Sequence, residues 1–408
     1  MIGYKCVACK TKYPADYKRN VCAECGANLD VRYDYGRLRD AAEQNTLFDN
    51  SRLDIFRYRK LLPTLNPVFA TPLRVGYTPL YYVRHLATAV GLNSVYLKDE
   101  GCNPSASLKD RASAVVLARA REVGAKVVAT ATTGNAGSSL ACLAAAAGQD
   151  CVVFVPENAP PAKLVQLRAY GARVLAVRGT YDDAFNLCRK TCMANGWFNR
   201  NTGLNPFTRE GKKTCSFEIW EQLDRKVPNW IIVPSGDGNI ISGIWKGWRD
   251  LFRIGLIERT PRLVCAQSEN SDAITRTVRK QDGYPKSWIS VRVESVQADT
   301  LADSISVDLP RDGLAATRAV IESRGHAITV ADDEIIASVG ELASLSGVFA
   351  EPAAATSWSV LKKMVNQKLI TRDESVVCLI TGNGLKDTEG VSASLRELNV
   401  VDINEDLS

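Results

Sequence analysis

Lys109 stands in a sequence setting that suits covalent chemistry with a carbonyl group. It follows a polar loop, residues 103–107, and lies at the start of an apolar segment that predicts a helix over residues 108–123. A lysine buried beside anion-binding loops loses part of its preference for the protonated form, so its neutral amine can form a Schiff base. A solvated lysine near a helix start is the commoner arrangement, and this segment alone leaves both open.

Three loops rich in glycine, asparagine and serine follow predicted strands. They span residues 132–139, 234–243 and 381–387. Backbone N–H groups in such loops, with the N-terminus of the next helix, bind carboxylates and phosphates. The first loop suits either anion, and the second suits a phosphate dianion because its glycines allow close approach of the backbone. Each loop, taken alone, is equally compatible with an ordinary strand-to-helix turn.

The first 35 residues carry two Cys-x2-Cys pairs. Twelve residues separate the pair Cys6 and Cys9 from the pair Cys22 and Cys25. This spacing is typical of a four-cysteine zinc ribbon, in which four thiolates occupy the corners of a tetrahedron. Because all four positions are filled, the zinc would be structural and would contribute much of the folding energy of this short segment. A pair of redox dithiols, or a ribbon that has lost its metal, is the alternative.

Beyond residue 76, short β-branched runs alternate with segments rich in alanine and leucine. The predicted strands cover residues 93–98, 126–130, 150–156, 173–177, 230–234, 262–267 and 375–381. The predicted helices cover residues 108–123, 136–148, 162–170 and 181–195. This alternation predicts βαβ units with parallel sheets, hence an α/β fold. Ligands bind outside the carboxyl ends of the strands in such folds, and the three loops lie there.

Composition excludes several classes of protein. Of the 408 residues, 46% are hydrophobic and 24% are charged, which supplies a large core and excludes a mainly disordered chain. The net charge of +6 is too small to indicate nucleic-acid binding by itself. Two histidines, His85 and His326, are present, which disfavours histidine-rich metal catalysis. We expect both in helices or loops.

The N-terminus and the scattered cysteines predict a soluble cytoplasmic protein. The first ten residues lack the apolar stretch of a signal peptide. The longest uncharged run, residues 127–149, is interrupted by Thr132-Thr133-Gly134-Asn135, so we expect no membrane helix there. Eight cysteines outside the ribbon lie mostly in apolar segments, as buried free thiols do in a reducing compartment.

The order of these motifs resembles that of threonine synthases and threonine synthase-like enzymes. These belong to the fold-type-II pyridoxal-phosphate enzymes, the tryptophan synthase β-like family. The matching segments lie at residues 76–80, 103–110, 133–135, 205–214, 236–243, 351–354 and 381–387. The resemblance covers roughly residues 70–390, and an N-terminal ribbon is similar to that of some members.

The resemblance implies two three-layer α/β domains after the ribbon. The ribbon would cover residues 1–35, and residues 36–100 would be a connector with the first part of the large domain. Residues 101–205 would form the small domain with the lysine loop, and residues 206–400 the large cofactor-binding domain. We expect a homodimer.

The resemblance also implies which residues bind the cofactor, pyridoxal 5′-phosphate. Lys109 would hold it covalently and move protons at Cα and Cβ of the substrate. Asn135 would bond its 3′-oxygen, and Thr381 would face its pyridine nitrogen without favouring protonation there, as a carboxylate would. Its phosphate would lie against the loop formed by Gly236, Asp237, Gly238, Asn239 and Ile240.

The implied reaction converts O-phosphohomoserine and water to threonine and phosphate. A Cα proton and a Cβ proton are removed, phosphate leaves from Cγ, and water adds at Cβ. The cofactor stabilises the carbanion, and the protein orients the groups and times the proton transfers. The substrate would be bound by Ser107, Thr132, Thr133, Gly134 and Arg209, with the residues of loop 132–134 holding its α-carboxylate.

The chain departs from the family pattern in segments that are expected to contact the substrate. Threonine synthases usually carry Asn-Pro-Thr-Gly-Ser-Phe-Lys-Asp around the lysine, where this chain has Ser105-Ala106-Ser107-Leu108. Many carry an arginine two residues after a second Asn-Pro, where this chain has Thr208, with Arg209 displaced by one. Residues 300–306 are closer to the Thr-Ile-Ala-Asp-Gly of amino-acid dehydratases. The alternative is therefore a β-replacement synthase similar to cysteate synthase, which takes O-phosphoserine and sulfite, or another specialised amino-acid synthase.

A non-enzymatic zinc-ribbon protein is the competing class. Basic residues and tyrosines alternate in the ribbon, a combination that binds single-stranded nucleic acid. They are Lys5, Lys10, Lys12, Lys18, Arg19, Tyr4, Tyr13 and Tyr17. A solvated face on a structural module is the simpler interpretation. We therefore expect a small phosphorylated amino acid as the partner, with no nucleic acid and no membrane.

Overall fold

The computed structural model describes residues 1–64, 66–159 and 161–392, in which strands and helices alternate. The strands are β1 (Gly3–Cys6), β2 (Lys12–Tyr13), β3 (Leu29–Arg32), β4 (Leu80–Tyr82), β5 (Ser94–Asp99), β6 (Val127–Ala131), β7 (Asp150–Pro156), β8 (Arg173–Val177), β9 (Phe198–Asn199), β10 (Trp230–Pro234), β11 (Arg262–Ser268), β12 (His326–Val330) and β13 (Ser375–Ile380). The α-helices are α1 (Tyr35–Glu43), α2 (Arg84–Ala89), α3 (Lys109–Glu122), α4 (Asn135–Ala146), α5 (Pro161–Ala169), α6 (Tyr181–Asn195), α7 (Phe207–Lys212), α8 (Thr214–Gln222), α9 (Asn239–Ile254), α10 (Ala273–Arg279), α11 (Gly313–Glu322), α12 (Asp332–Ser346), α13 (Pro352–Asn366) and α14 (Thr388–Ser392). Short 3-10 helices cover Ile55–Leu61, Pro67–Phe69, Glu100–Cys102, Asp303–Ile305 and Gly384–Lys386.

The strands form three sheets in the described ranges. The N-terminal sheet is antiparallel, in the order β2-β1-β3. The larger α/β sheet has the order β12-β11-β10-β13-β5-β4, parallel except that β4 runs against β5. The smaller sheet, β8-β7-β6-β9, is parallel throughout. The predicted α/β fold after a small cysteine-rich unit is thus confirmed, whereas the domain boundaries stay a prediction.

The central strand of the larger sheet shows why its sequence folds this way. All five residues of β10 are buried, because β11 and β13 flank it and helices cover both faces. A strand covered on both faces is apolar throughout instead of alternating. His326, expected in a helix or loop, instead begins β12, where its ring stacks on that of Trp230 with centroids 5.4 Å apart. His85 lies in α2 as expected.

Helix α3, which begins at Lys109, packs very closely against α7. A Cβ atom added at Gly211 would lie 1.9 Å from the carbonyl oxygen of Arg111, so glycine is required for this approach. On the other side of α3, the Ser113 hydroxyl accepts a hydrogen bond from the Ser139 hydroxyl of α4 over 2.7 Å. The lysine at the start of α3 is therefore fixed by the core of the molecule.

A buried ion cluster joins α3 to β5 and α8. The Arg111 guanidinium lies 2.6 Å from a carboxylate oxygen of Glu100 and 2.6 Å from one of Glu218. The Lys98 ammonium lies 2.8 Å from the second oxygen of Glu218. All four side chains are inaccessible to solvent, and each charge has an opposite charge in contact.

The N-terminal unit docks on the larger domain through polar contacts. The Asp30 carboxylate lies 2.6 Å from the Lys246 ammonium and 3.2 Å from the Arg209 guanidinium. The Tyr33 hydroxyl donates a hydrogen bond of 2.6 Å to Glu210. Charged side chains of α7 and α9 thus find their partners in the ribbon.

None of the described helices is both long and apolar enough to cross a membrane. All twelve cysteines are free thiols, and seven of the eight outside the ribbon are fully or partly buried. The exception is Cys102, beside the lysine loop, which is exposed. The expectation of scattered free thiols is confirmed.

Candidate active site

Two of the predicted loops lie side by side at the carboxyl edge of the larger sheet. Strand β10 ends at Pro234 and leads into the glycine loop before α9, while the adjacent strand β13 ends at Ile380 and leads to Thr381. Gly238 has a φ of 81°, and an added Cβ would lie 2.6 Å from the Cβ of Ala316. A side chain at this position is therefore excluded, and glycine allows the tight turn of the loop.

The lysine loop is tied directly to the segment after β13. The Leu108 N–H donates to the Thr381 carbonyl over 2.9 Å, and the Asn383 N–H donates to the Ala106 carbonyl over 3.0 Å. Ala106 has a φ of 62°, a left-handed conformation in which a Cβ costs roughly 1–2 kcal/mol. The structure therefore brings Lys109 and Thr381 together, as the resemblance implies.

Lys109 lies among four charged side chains, and we call these five residues the lysine cluster. They are Lys109, Arg200, Lys212, Asp237 and Glu351. Burial lowers the pKa of Lys109, the charges of Glu351 and Asp237 oppose this shift, and the charge of Arg200 adds to it. A lowered pKa makes the neutral, nucleophilic amine more available at neutral pH.

Asn135 and Glu351 face each other beside the lysine. The Asn135 amide donates to both carboxylate oxygens of Glu351, over 3.1 and 3.0 Å. Burial raises the pKa of Glu351, while the Asn135 hydrogen bond and the Lys109 charge act the other way. An amide and a carboxyl of raised pKa can both contact a phenolic oxygen, which is the environment expected for the 3′-oxygen of the cofactor.

The loop that should hold the α-carboxylate leads into α4. Gly134 immediately precedes Asn135, and its N–H lies 3.2 Å from the Thr132 hydroxyl oxygen. A Cβ added at Gly134 would meet nothing within 4 Å, so this side of the loop is open. Thr132, Thr133 and Gly134 are partly exposed, and together with the N-terminus of α4 they offer an accessible anion site.

Two cations of the lysine cluster were missed by sequence reasoning. Arg200 directly follows β9, and Lys212 ends α7; both side chains are at most 1% exposed. The Lys212 ammonium donates to the Asn239 side-chain oxygen, 2.5 Å away, at the start of α9. The segment Glu210-Gly211-Lys212-Lys213-Thr214 was a signal for Lys212, since it belongs to the family pattern, whereas nothing in the sequence marked Arg200.

The glycine loop is held from beneath by buried polar groups. The Asp237 carboxylate accepts from the Arg311 N–H over 3.1 Å, and burial raises the pKa of Asp237. Asn239 donates to Asp312 over 2.8 Å, and Ile240 is buried in the core behind the loop. These contacts fix the position of the loop.

Arg209, the expected substrate ligand, contacts other partners. Its guanidinium donates to Asp312 over 2.5 Å, to Asp30 of the ribbon over 3.2 Å and to the Ser242 hydroxyl over 3.2 Å. The side chain is 4% exposed. A substrate role for Arg209 stays a prediction, and its observed contacts are those of a residue that joins the ribbon to α9.

The four ribbon cysteines come together at one point. The sulfur atoms of Cys6, Cys9, Cys22 and Cys25 all lie within 4.8 Å of one another. The Cys6–Cys25 distance is 3.4 Å and the Cys9–Cys22 distance is 3.5 Å. Tetrahedral zinc with Zn–S bonds of about 2.3 Å places its sulfurs about 3.8 Å apart, so this group fits a zinc ion.

The lysine cluster also fits a small molecule that carries an aldehyde and a phosphate. The Ser107 hydroxyl oxygen and the Arg200 Nη2 atom are buried and have no hydrogen-bond partner among the described residues. A native protein rarely leaves such atoms unpaired unless a ligand or water completes them. The donor set is a lysine amine, a glycine loop at a helix N-terminus and buried cations, which suits pyridoxal phosphate.

Known proteins are similar to this chain over most of its length. Residues 72–382 match the family model described as pyridoxal-phosphate dependent enzyme. Threonine synthase of Methanocaldococcus jannaschii is 36% identical over 394 residues, covering 96% of this chain and 95% of that protein. Threonine synthase of Methanosarcina acetivorans is 37% identical over 408 residues, covering 100% and 97%.

A solved structure shows a similar fold at lower sequence identity. Threonine deaminase isoform 2 from Solanum lycopersicum superposes with a TM-score of 0.66 at 21% identity, covering 78% of this chain and 86% of that one. This likeness concerns the fold alone, whereas the sequence matches span nearly the whole chain. The chain therefore belongs to the pyridoxal-phosphate dependent enzymes and, within them, to the threonine synthase family.

Proposed function

We propose that this enzyme converts O-phosphohomoserine and water to threonine and inorganic phosphate. One observation carries the proposal, namely that threonine synthases match the chain along nearly its whole length. The arrangement around Lys109 supports it, because an amine of lowered pKa lies among groups suited to two anions, a carboxylate and a phosphate. Pyridoxal phosphate, when bound, supplies the electron withdrawal that makes the Cα proton acidic.

The residues of the site would divide the work as follows. Lys109 removes the Cα proton and then a Cβ proton, and phosphate leaves from Cγ. A proton is then returned to Cγ, water adds its hydroxyl at Cβ, and a last proton is returned to Cα. Thr132, Thr133 and Gly134 hold the α-carboxylate at the N-terminus of α4. Ser107 lies two residues before the lysine, and its hydroxyl has no hydrogen-bond partner among the described residues, so it is a donor for the substrate.

The groups around the cofactor would fix its position and charge. The loop from Gly236 to Ile240 would hold its phosphate, assisted by Lys212, which bonds Asn239 of that loop. Asn135 would bond its 3′-oxygen. Thr381 would offer a hydroxyl to its ring nitrogen, which does not favour protonation of the ring as a carboxylate would.

The test is to follow visible absorbance and released phosphate together while O-phosphohomoserine is added to the purified, cofactor-loaded enzyme. A change of absorbance with steady phosphate release, and threonine as the product, supports the proposal. The variant Lys109→Ala should lose the absorbance of lysine-bound cofactor and lower turnover by roughly three orders of magnitude or more, because it removes both the covalent anchor and the base. Retained turnover in that variant would refute the assignment of Lys109.

A β-replacement on O-phosphoserine with sulfite is the second candidate. The observation that favours it is Arg209, which is bonded to Asp312 and Asp30 and so differs from the arginine that many threonine synthases carry nearby. In that reaction Lys109 removes only the Cα proton and phosphate leaves from Cβ. Formation of cysteate from this pair, with no phosphate release from O-phosphohomoserine, would replace the first proposal by this one.

We also propose that the ribbon holds one structural zinc ion and that the enzyme works in the cytoplasm as a homodimer. The closeness of the four ribbon sulfurs supports the zinc, and free thiols throughout the chain suit a reducing compartment. Metal analysis of the purified protein tests the zinc, and light scattering tests the dimer.

A further inference from the structure

Arg200 is anchored by its backbone at the end of the smaller sheet. Its N–H donates to the Ala129 carbonyl over 2.8 Å, which continues the pairing of β9 with β6. Its side chain donates from Nε to the Ser113 hydroxyl over 3.3 Å and from Nη1 to the Thr202 hydroxyl over 2.8 Å. The third nitrogen, Nη2, is buried and has no partner among the described residues.

The charge of Arg200 has no counter-ion in contact. The side chain is 0% exposed, and no carboxylate oxygen of the described residues lies within 4.0 Å of the guanidinium. Burial lowers the pKa of Arg200 to about 10, so the group stays protonated at neutral pH. A buried, unpaired cation costs several kcal/mol of stability, and a bound anion would offset that cost.

The position of Arg200 indicates that its counter-ion comes from the substrate and not from the protein. Arg200 bonds Ser113, which lies one helical turn after Lys109 in α3, and this contact places the guanidinium beside the lysine cluster. Its charge acts on Lys109 and Lys212, and the charges of Asp110 and Asp237 act on Arg200. The glycine loop and Lys212 already serve the cofactor phosphate under the proposed function. Arg209, the arginine expected to bind the substrate, is paired with Asp312 and Asp30.

We propose that Arg200 binds the phosphate group of the substrate, whereas the resemblance implies Arg209 as the substrate-binding arginine. The planar guanidinium can direct Nη2 and a second N–H toward two phosphate oxygens, a geometry that lysine lacks. This inference rests on the proposed function in one respect, namely that the substrate is a phosphate monoester. It assigns the specificity of the site to an arginine on the smaller sheet.

The experiment compares Arg200→Met and Arg200→Lys with a control, Arg178→Gln, in the cofactor-loaded enzyme. Arg178 lies on the same domain, is mostly exposed and pairs with Glu157 over 3.7 Å. Calorimetry with inorganic phosphate, the KM for O-phosphohomoserine, the cofactor affinity of the apoenzyme and the thermal midpoint are measured for each protein.

We expect Arg200→Met to weaken phosphate binding and raise KM by about ten- to a hundredfold, the loss of one or two hydrogen bonds to a charged group. Arg200→Lys should show a smaller rise, and Arg178→Gln none. Cofactor affinity should change less than about threefold. The thermal midpoint of unliganded Arg200→Met should equal or exceed that of the wild type, because a buried, unpaired charge has been removed.

Two outcomes would overturn the proposal. Weaker cofactor binding with an unchanged KM would assign Arg200 to the cofactor phosphate, and a lower thermal midpoint with unchanged phosphate binding would make it structural. If Arg200→Met fails to fold, the KM and phosphate affinity of Arg200→Lys decide between the same outcomes. The phosphate-binding measurement does not depend on turnover, so it still tests Arg200 if O-phosphohomoserine proves not to be the substrate.

Discussion

Two regions of this enzyme contain buried cations, and they differ in whether carboxylates are in contact with those cations. The first is the buried ion cluster that joins α3 to β5 and α8, called here the cluster beneath α3. In it, Arg111 and Lys98 lie within 2.6–2.8 Å of the carboxylates of Glu100 and Glu218. In the lysine cluster, Arg200 and Lys212 are buried to the same degree, yet no carboxylate of a described residue is in contact with either.

The difference separates charges that hold the fold from charges that await a ligand. A buried ion pair with a partner missing is destabilising, and proteins rarely keep one without a use. The cluster beneath α3 contains its own counter-ions, so no ligand is needed there. In the lysine cluster, the carboxylates of Asp237 and Glu351 are not in contact with Arg200 or Lys212, and the expected cofactor and substrate would each bring a phosphate.

The largest effect is expected when a compensated charge loses its partner. Burial alone raises the pKa of Glu218, but Arg111 and Lys98 lower it to about 2. The variant Glu218→Gln leaves both cations short of a counter-ion, and the free energy of unfolding should fall by about 3–5 kcal/mol. Equilibrium unfolding in urea measures this loss. The matched control is Glu294→Gln at a partly exposed pair with Lys280, for which a change above about 1 kcal/mol would contradict the distinction.

The next effect concerns the ribbon, which supplies a counter-ion to the larger domain. Cys6→Ser removes one of the four zinc ligands, so the purified variant should contain little or no zinc. Undocking of the ribbon would withdraw Asp30 from Arg209 and Lys246, which should lower the free energy of unfolding by about 2–3 kcal/mol. Metal analysis and urea unfolding provide the two readouts, and full zinc content in the variant would refute the four-thiolate site. Turnover of the folded fraction should be retained.

A smaller effect is expected when one partner of a shared charge is neutralised. In Asp30→Asn, Arg209 keeps Asp312 and Lys246 keeps Glu210. The free energy of unfolding should therefore fall by only about 1–2 kcal/mol. Urea unfolding measures it against Asp16→Asn, an exposed aspartate of the same ribbon. A loss as large as that of Glu218→Gln would show that the neighbouring carboxylates do not compensate.

Sequence reasoning located the elements that carry the site with small errors. The strand Asp150–Pro156 and the helix Tyr181–Asn195 were predicted with the observed bounds, and the helix predicted over 108–123 is observed as Lys109–Glu122. The uncharged run 127–149 is indeed broken at residues 132–134, between β6 and α4. These elements are local, since hydrophobic period and turn residues largely determine them.

The partners of individual charges could not be predicted, because they depend on contacts between distant segments. The burial of Arg200 follows from β9, only two residues long, pairing with β6 some 70 positions earlier. The resemblance implied Arg209, three residues beyond Asn205-Pro206, as a substrate ligand. Its guanidinium instead contacts Asp312 and Asp30, residues more than 100 positions away. The sequence showed which residue types were present but not which charges would be left uncompensated.

The last prediction compares two adjacent buried lysines. Loss of one of them should leave stability unchanged or raised, in contrast to the loss expected for Glu218→Gln. Burial lowers the pKa of Lys212 well below its usual value, and Lys109 and Arg200 add to this shift. Lys213, by contrast, lies 2.7 Å from Glu210 and 2.8 Å from Asp250. Lys212→Met should leave the unliganded protein as stable as the wild type or slightly more stable, whereas Lys213→Met should destabilise it, since it leaves carboxylates without their cation.

The pH dependence of stability and the affinity for the cofactor should also distinguish these two lysines. Because the folded-state pKa of Lys212 is below its unfolded value, the unfolded chain binds more protons between the two values, and wild-type stability rises with pH across that interval. Lys212→Met should flatten this rise and weaken pyridoxal phosphate binding by about ten- to a hundredfold, measured by titration of the apoenzyme. Equal destabilisation by both substitutions, with unchanged cofactor affinity, would show that Lys212 is as structural as its neighbour and that an uncompensated charge does not mark a ligand site here.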